Sequence, residues 1–401
     1  MGKDLMKYAL IIPDGAADRP IERLENRTVL QAAEIPNLDR LARSGRVGTV
    51  QTVPAGLTPG SDVAIMSVLG YDPQANYTGR APIEAAAMGI DIQSRQIVFR
   101  CNLVTITDGV MEDFSAGHIR TDEARELIAA LNDGLGASGV QFHPGVSYRH
   151  VMVTAPADDF EGLETTPPHD IIGQEVKGHL PEGEGAEWVK ELMALSVPLL
   201  AGHPVNKARM DRGEKPASSI WLWGQGQKPT LKPFRSVYGP TGAVITAVDL
   251  VRGLGTLIGF EVINVPGATG YIDTNYDGKA QAACEALDRV DMVVVHVEAP
   301  DEAGHNADLE AKKFAIEQID QRIIVPVAKK IESLGDGRIM VLPDHPTPIA
   351  VRSHTAEPVP FVIAGTNVSG PACPAFDEDH ARATGLHVTP GWKLMKNFLS
   401  E

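Results

Sequence analysis

Three short segments in the last third of the chain concentrate carboxylates and imidazoles. They read His296-Val297-Glu298-Ala299-Pro300-Asp301-Glu302-Ala303-Gly304-His305, Pro343-Asp344-His345-Pro346 and Arg352-Ser353-His354-Thr355. Mixed oxygen and nitrogen donors suit a borderline divalent ion such as Mn²⁺ or Zn²⁺. Asp301, His305, Asp344, His345 and His354 are candidate ligands, more than one ion commonly takes, so two ions are considered. His305 follows Asp301 by four positions, which lets both side chains face one point on a helical turn. His296 lies within an apolar run and reads as a core residue or a support for a ligand.

Two upstream segments add to this set. Asp14 follows the apolar run Tyr8-Ala9-Leu10-Ile11-Ile12. A single acid there would ordinarily be a turn former or a helix cap. Ser61 lies in Gly56-Leu57-Thr58-Pro59-Gly60-Ser61-Asp62-Val63-Ala64, a glycine-preceded helix start. The plain alternative is a serine cap. The chemical one is a hydroxyl placed among free backbone N–H groups, suited to phosphate or to activation by a metal. The segment is not a G-x-S-x-G elbow.

Candidate anion clamps are scattered: Arg80 in a loop, His118 before a helix, Arg149 at a strand border, Arg209 in a basic stretch and Lys279 at a helix start. The planar guanidinium suits phosphate and carboxylate, although each cation taken singly reads as a solvated surface charge.

Short apolar runs alternate with amphipathic stretches along the chain. Tyr8–Ile12, Ile220–Trp223, Met292–Val295 and Ile339–Leu342 suit strands buried on both faces of a mainly parallel sheet. Helical periodicity marks 246–258, 278–289 and 308–333. This order predicts an α/β fold, a mainly parallel sheet flanked by helices. Residues 96–217, richer in Gly and Pro turns and weaker strands, read as an inserted smaller α+β domain. The expected organisation is a core of 1–95 with 218–401 and a capping insertion of 96–217. Ligands of such sheets gather at the carboxyl ends of the strands, where Asp14, Asp301, Asp344 and His345 would all lie.

Bulk properties exclude other classes. The 401 residues are 43% hydrophobic and 22% charged, with 36 basic and 52 acidic residues for a net charge of −16. That balance opposes duplex nucleic-acid binding, which needs a basic face. Three dispersed cysteines suggest a reducing compartment and no disulfide scaffold. No apolar run approaches a membrane span of ~20 residues, and Met1–Lys7 lacks a signal-like core. A cytoplasmic protein is expected.

The ordered motifs Ile12-Pro13-Asp14-Gly15-Ala16-Ala17-Asp18, Gly60-Ser61-Asp62-Val63-Ala64, Tyr77-Thr78-Gly79-Arg80, Asp273-Thr274-Asn275-Tyr276, Asp301-Glu302-Ala303-Gly304-His305, Asp344-His345 and Ser353-His354 resemble one known family. It is the archaeal-type 2,3-bisphosphoglycerate-independent phosphoglycerate mutase family of the alkaline phosphatase superfamily. The resemblance covers essentially the whole chain. It implies an alkaline-phosphatase-like core and two divalent ions, Mn²⁺ first, with Zn²⁺, Mg²⁺ or Co²⁺ as alternatives, and no bisphosphoglycerate. Asp301, His305 and His354 would hold one ion; Asp14, Ser61, Asp344 and His345 the other. Ser61 would be the nucleophile in an interconversion of 3- and 2-phosphoglycerate. The insertion would close over the substrate, with His118, Arg149, Arg209 and Lys279, beside Arg80, as its cations. Two rivals are a phosphatase or homoserine-kinase-like phosphotransferase on the same metal core, and a metal-stabilised structural protein. The chain has no P-loop, and no cysteine lies near the ligands.

Overall fold

The structure, a computed structural model, describes residues 6–156 and 160–400; the lead-in Met1–Leu5 lies outside them. Thirteen strands are present among the described residues. In chain order they are β1 (Lys7–Pro13), β2 (Arg46–Val50), β3 (Gln96–Thr107), β4 (Val110–Asp113), β5 (Val140–His143), β6 (Arg149–Pro156), β7 (Ser219–Gly226), β8 (Gly242–Ile245), β9 (Glu261–Ile263), β10 (Met292–Val297), β11 (Gly337–Val341), β12 (Val359–Gly365) and β13 (His387–Val388). The chain divides into two compact units, Met1–Tyr77 with Thr230–Glu401, and Thr78–Pro229.

The first unit holds an eight-stranded sheet in the order β13-β2-β12-β11-β1-β10-β8-β9. The pairs β11–β1, β1–β10, β10–β8, β8–β9 and β13–β2 are parallel, and only β12 runs against its neighbours. β1 lies centrally, and Ala9, Leu10, Ile11 and Ile12 are each fully buried. Their unbroken apolar run reflects cover on both faces of the sheet.

The strand register determines what meets at the sheet's edge. Pro13 pairs with Val297, and Ile11 pairs with Val341. Asp14 is therefore the first residue beyond β1, Asp301 lies four beyond β10, and Asp344 lies three beyond β11. Parallel pairing brings these acids to the same edge.

Helices Pro36–Ser44, Tyr276–Ala286, Leu309–Ile319 and Val325–Ser333 pack on this sheet. The stretch expected to be helical over 308–333 is interrupted by a π-turn at Asp320–Ile324. The turn aims buried Asp320 at the start of helix Pro36–Ser44, whose own N-cap, Ile35, has no capping side chain. Asp320 accepts from Leu38 N at 2.7 Å and from Asn37 Nδ2 at 2.8 Å. A distant carboxylate thus satisfies N–H groups that a local cap ordinarily takes.

The second unit is an antiparallel sheet, β4-β3-β6-β5, with β7 also paired to β3. Helices Thr121–Leu135 and Ala186–Ala201 cover the face carrying Phe99, Cys101 and Leu103. Helix Arg80–Ala87 sets Ala81 and Ala85 against Val98, Val151 and Val153 on the alternate face.

This corrects two expectations. Ile220–Trp223 is an antiparallel strand of the second unit, not part of the parallel sheet; burial on both faces explains its apolar run equally well. The second unit also extends beyond 96–217, because helix Arg80–Ala87 and all of β7 pack with it.

Candidate active site

Two groups of donors converge at the edge of the first unit's sheet. Asp301, His305 and His354 form one, and Asp14, Asp344 and His345 form the other; in each, the donor atoms lie within 4.8 Å of one another.

Helix Ala299–His305 presents Asp301 and His305 one turn apart, as the four-residue spacing predicts. His305 Nε2 lies 3.2 Å from Asp301 Oδ2 and 2.9 Å from His354 Nε2. His305 Nδ1 donates to the Arg352 carbonyl at 3.1 Å, so Nε2 is the nitrogen turned to Asp301: it donates while the ring is protonated and would offer its lone pair once a cation displaced that proton. Two imidazole nitrogens directed at one point beside a carboxylate suit a shared cation. Burial alone would raise the Asp301 carboxyl, but hydrogen bonds to His305 and His354 hold it well below the usual range. The same contact raises His305 to about 9.

The second group is entirely buried. Asp344 Oδ1 accepts from Gly15 N at 3.1 Å and His345 N at 2.9 Å, which fixes the carboxylate and leaves Oδ2 without a partner. Asp14 Oδ1 is likewise unpartnered. Burial first, and then the charges of Asp344, Glu298 and Asp301, push the Asp14 carboxyl well above its ordinary value. Two buried, unpaired carboxylate oxygens in mutual repulsion fit a divalent cation, which would reverse both costs. His345 Nε2 lies 3.3 Å from Asp344 Oδ2 and 3.7 Å from Asp14 Oδ1. The His345 and His354 rings are 4.2 Å apart between centroids, so the two groups adjoin.

Ser61 is the first residue of helix Ser61–Val68, and Gly60 is its N-cap. The serine is therefore not a cap. Its hydroxyl instead meets His345 Nε2 at 3.1 Å. Asp62 is held by a short hydrogen bond from the Tyr77 hydroxyl, which ties this first turn to the segment after it.

His296 is fully buried and supports Asp14. Val248 N donates to Thr246 Oγ1 at 3.0 Å, so the threonine hydroxyl is free to donate to His296 Nδ1, also at 3.0 Å. His296 Nε2 then carries hydrogen and donates to Asp14 Oδ2 at 2.7 Å. This chain turns Asp14 Oδ1 toward the ligand group. Asp14, His296 and Glu298 also lie within ligand range of one another. The donor role of His296 Nε2 makes that trio a support rather than a cage. Glu298 is pushed up to about 8 by burial and by Asp301.

The five proposed substrate cations are placed differently. Lys279 shares the first unit with the ligand groups; it is fully buried, donates to the His296 carbonyl at 3.0 Å and is lowered by burial to about 8. Arg80, His118, Arg149 and Arg209 belong to the second unit. Arg209 does not present its charge to a ligand. It is 2% exposed and donates to Glu123 at 2.6 Å and to the Lys215 and Ala116 carbonyls. Its partner lies 86 positions away, so the sequence spacing conceals the pairing. His118 is exposed and packs edge-on against Tyr148.

Arg80 and Arg149 belong to a cluster that includes a residue the sequence reading missed. Glu84 accepts from Arg80 Nε and Arg100 Nε, each at 2.8 Å. Burial would raise Glu84, but Arg100, Arg80 and then Arg149 hold it low. Arg100 lies over the Trp223 ring at 4.1 Å. Three guanidinium groups thus surround one carboxylate and leave a net positive site suited to a small anion. Arg100 was hidden within the apolar run Ile97-Val98-Phe99-Arg100-Cys101.

Among the described residues, no helix is long and apolar enough to cross a membrane.

A family model described as 2,3-bisphosphoglycerate-independent phosphoglycerate mutase matches residues 42–206. A probable 2,3-bisphosphoglycerate-independent phosphoglycerate mutase of Geobacter sulfurreducens is 51% identical over 399 residues, covering 98% of this chain and 100% of the relative. A relative of the same description, without the qualifier, from Methanothrix thermoacetophila is 50% identical over 98% of this chain and 99% of its own. Among solved structures, a Pyrococcus horikoshii protein superposes with a TM-score of 0.82 at 28% identity, over 98% of this chain and 96% of that one. The cofactor-independent phosphoglycerate mutase of Thermoplasma acidophilum gives 0.65 at 28% identity, over 98% and 99%.

Proposed function

The chain belongs to the 2,3-bisphosphoglycerate-independent phosphoglycerate mutase family, and from that premise we propose that it interconverts 3- and 2-phosphoglycerate through a phosphoserine at Ser61. It is an isomerase of the intramolecular phosphotransferase kind. One observation carries the site assignment: a serine with no capping role places its hydroxyl at a nitrogen of a buried Asp–Asp–His group with two unpartnered carboxylate oxygens.

Asp301, His305 and His354 would hold one divalent ion, and Asp14, Asp344, His345 and Ser61 a second, with Mn²⁺ the first choice and Zn²⁺, Mg²⁺ or Co²⁺ as alternatives. Bound divalent ions would lower the pKa of the hydroxyl and neutralise charge on the transferring group.

Ser61 Oγ attacks phosphorus of 3-phosphoglycerate as the bond to the C3 oxygen breaks. Phosphoserine and glycerate result. Glycerate then turns, and its C2 oxygen takes the phosphoryl group from Ser61, restoring the hydroxyl. No phosphate and no bisphosphoglycerate enters the balance. Lys279 supplies positive charge at the acidic site. Arg80 and Arg149, with Arg100 beside them and His118, supply cations for the carboxylate and phosphate of the substrate. Arg209 is left to support the fold of the second unit. Water must be kept from the phosphoserine, or the phosphoryl group is lost to hydrolysis. The three free thiols suit a cytoplasmic location.

An enolase-coupled assay on Mn²⁺-loaded protein tests this reading. It predicts 2-phosphoglycerate from 3-phosphoglycerate without added bisphosphoglycerate. Release of inorganic phosphate as the main product would favour a phosphatase. Phosphorylation of homoserine from ATP in a parallel arm, without mutase activity, would favour the kinase-like alternative.

A further inference from the structure

We propose that Thr347 is a positioning residue whose single hydroxyl joins the two ligand groups and selects the form of His345 that can bind a metal. The proposal rests on the two-ion reading above.

Thr347 is fully buried. Its Oγ1 makes a short hydrogen bond to Asp301 Oδ1, in the first group, and lies 3.3 Å from His345 Nδ1, in the second. A hydroxyl has one proton to donate. A carboxylate oxygen can only accept, so the proton goes to Asp301. The Thr347 oxygen then accepts from His345, which places the imidazole hydrogen on Nδ1.

Nε2 is thereby left with its lone pair. This nitrogen faces Ser61 Oγ at 3.1 Å, Asp344 Oδ2 at 3.3 Å and Asp14 Oδ1 at 3.7 Å. The opposite tautomer would put hydrogen into the ligand group and exclude a cation from that nitrogen. At the other end, holding Asp301 Oδ1 leaves Oδ2 turned to His305 Nε2 at 3.2 Å.

Thr347 is itself held in place. Its carbonyl accepts from Lys312 Nζ at 2.8 Å, and the same ammonium pairs with Asp18 Oδ2 at 2.8 Å. A Cβ added at Gly15 would stand 2.6 Å from Thr347 Oγ1, and one at Gly304 would stand 2.6 Å from the Thr347 carbonyl. Both neighbours are glycines, and the threonine sits tightly between them. Thr246, by contrast, acts through His296 on Asp14 alone.

Calorimetric titration of the metal-free chain with Mn²⁺ separates these roles. Thr347→Val keeps the shape and removes the hydroxyl. It is expected to weaken both ions, each by about 10–100-fold, as loss of an outer partner does at metal sites. Thr347→Ser, which restores the hydroxyl, should recover both, and Thr246→Val should weaken one ion only. Wild-type affinity for either ion in a folded Thr347→Val chain would overturn the proposal. If the wild type itself takes up no second ion, the two-ion reading fails instead.

A measurement without substitution at Thr347 guards against a variant that does not fold. In the ¹⁵N-histidine-labelled wild type loaded with Zn²⁺, and with the His345 signals assigned by loss in His345→Gln, His345 should carry hydrogen on Nδ1 and metal on Nε2. Hydrogen on Nε2, or metal on Nδ1, would contradict the assignment.

Discussion

Ser61 Oγ lies 3.1 Å from His345 Nε2 across 284 positions of sequence. The contact joins the first turn of helix Ser61–Val68 to the segment leaving β11. It exists because Gly60, not Ser61, is the N-cap, which leaves the hydroxyl free for the ligand group. The setting of the Ser61 hydroxyl therefore depends on the sheet register that delivers Asp344 and His345.

Metal-free protein should lose stability as pH rises from about 6.5 to about 8. In the folded chain Glu298 is pushed up to about 8 and His305 to about 9. Both hold a proton there that the unfolded chain has released, so folding becomes less favourable with rising pH. A divalent ion held by Asp301, His305 and His354 would take the place of the His305 proton, and its stabilising effect should grow over the same interval. Thermal unfolding with EDTA and with Mn²⁺ at the two ends of this range checks the sign. A melting temperature that rises with pH in EDTA would contradict it.

Gly15→Ala should damage the ligand groups. Gly15 has φ +60°, and its new Cβ would stand 2.6 Å from both Asp301 Oδ1 and Thr347 Oγ1. The left-handed backbone alone costs about 1–2 kcal/mol for a residue with a Cβ. Displacing Asp301 and Thr347 should further weaken Mn²⁺ binding by about tenfold or more. Denaturant unfolding and metal titration of the variant measure the two effects; unchanged values for both would refute the contact.

Arg149→Met and Arg209→Met should separate substrate contact from structural support. Arg209 is buried against Glu123, and removing it should destabilise the protein by about 3 kcal/mol. Arg149 is exposed beside the Glu84 cluster. Its loss should change stability by no more than about 0.5 kcal/mol. The Michaelis constant should rise by about tenfold, the equivalent of 1.4 kcal/mol. Unfolding midpoints and steady-state kinetics on both variants decide this, and the reverse pattern would count against it.

Asp320→Ala should cost about 1–2 kcal/mol, as loss of a helix cap does, although Asp320 lies far in sequence from the helix it caps. Urea unfolding reads the loss. A variant as stable as the wild type would mean that the N–H groups of Asn37 and Leu38 find other partners.

The convergence of these acids and histidines was legible because parallel strands end at one edge, and Asp14, Asp301 and Asp344 each follow an apolar run. Ser61 was legible as a hydroxyl at a helix start, but its freedom from capping depends on backbone angles at Gly60. Three features were not legible. The run Ile220–Trp223 reports burial on two faces but not which strand it pairs with. Arg100 is buried against Glu84 and Trp223, contacts made across 16 and 123 positions. Thr347 resembles any loop threonine until the fold places it between Asp301 and His345. Local patterns record periodicity and turn chemistry, whereas these roles arise from tertiary neighbours.

The central claim is that Ser61 carries the phosphoryl group between the two oxygens of glycerate. Mass spectrometry of Mn²⁺-loaded protein quenched during turnover of ³²P-labelled 3-phosphoglycerate tests it directly. The predicted result is label on the peptide containing Ser61 and in 2-phosphoglycerate, with none on that peptide and no turnover in Ser61→Ala. Turnover in folded Ser61→Ala, or label on a different residue, would contradict it.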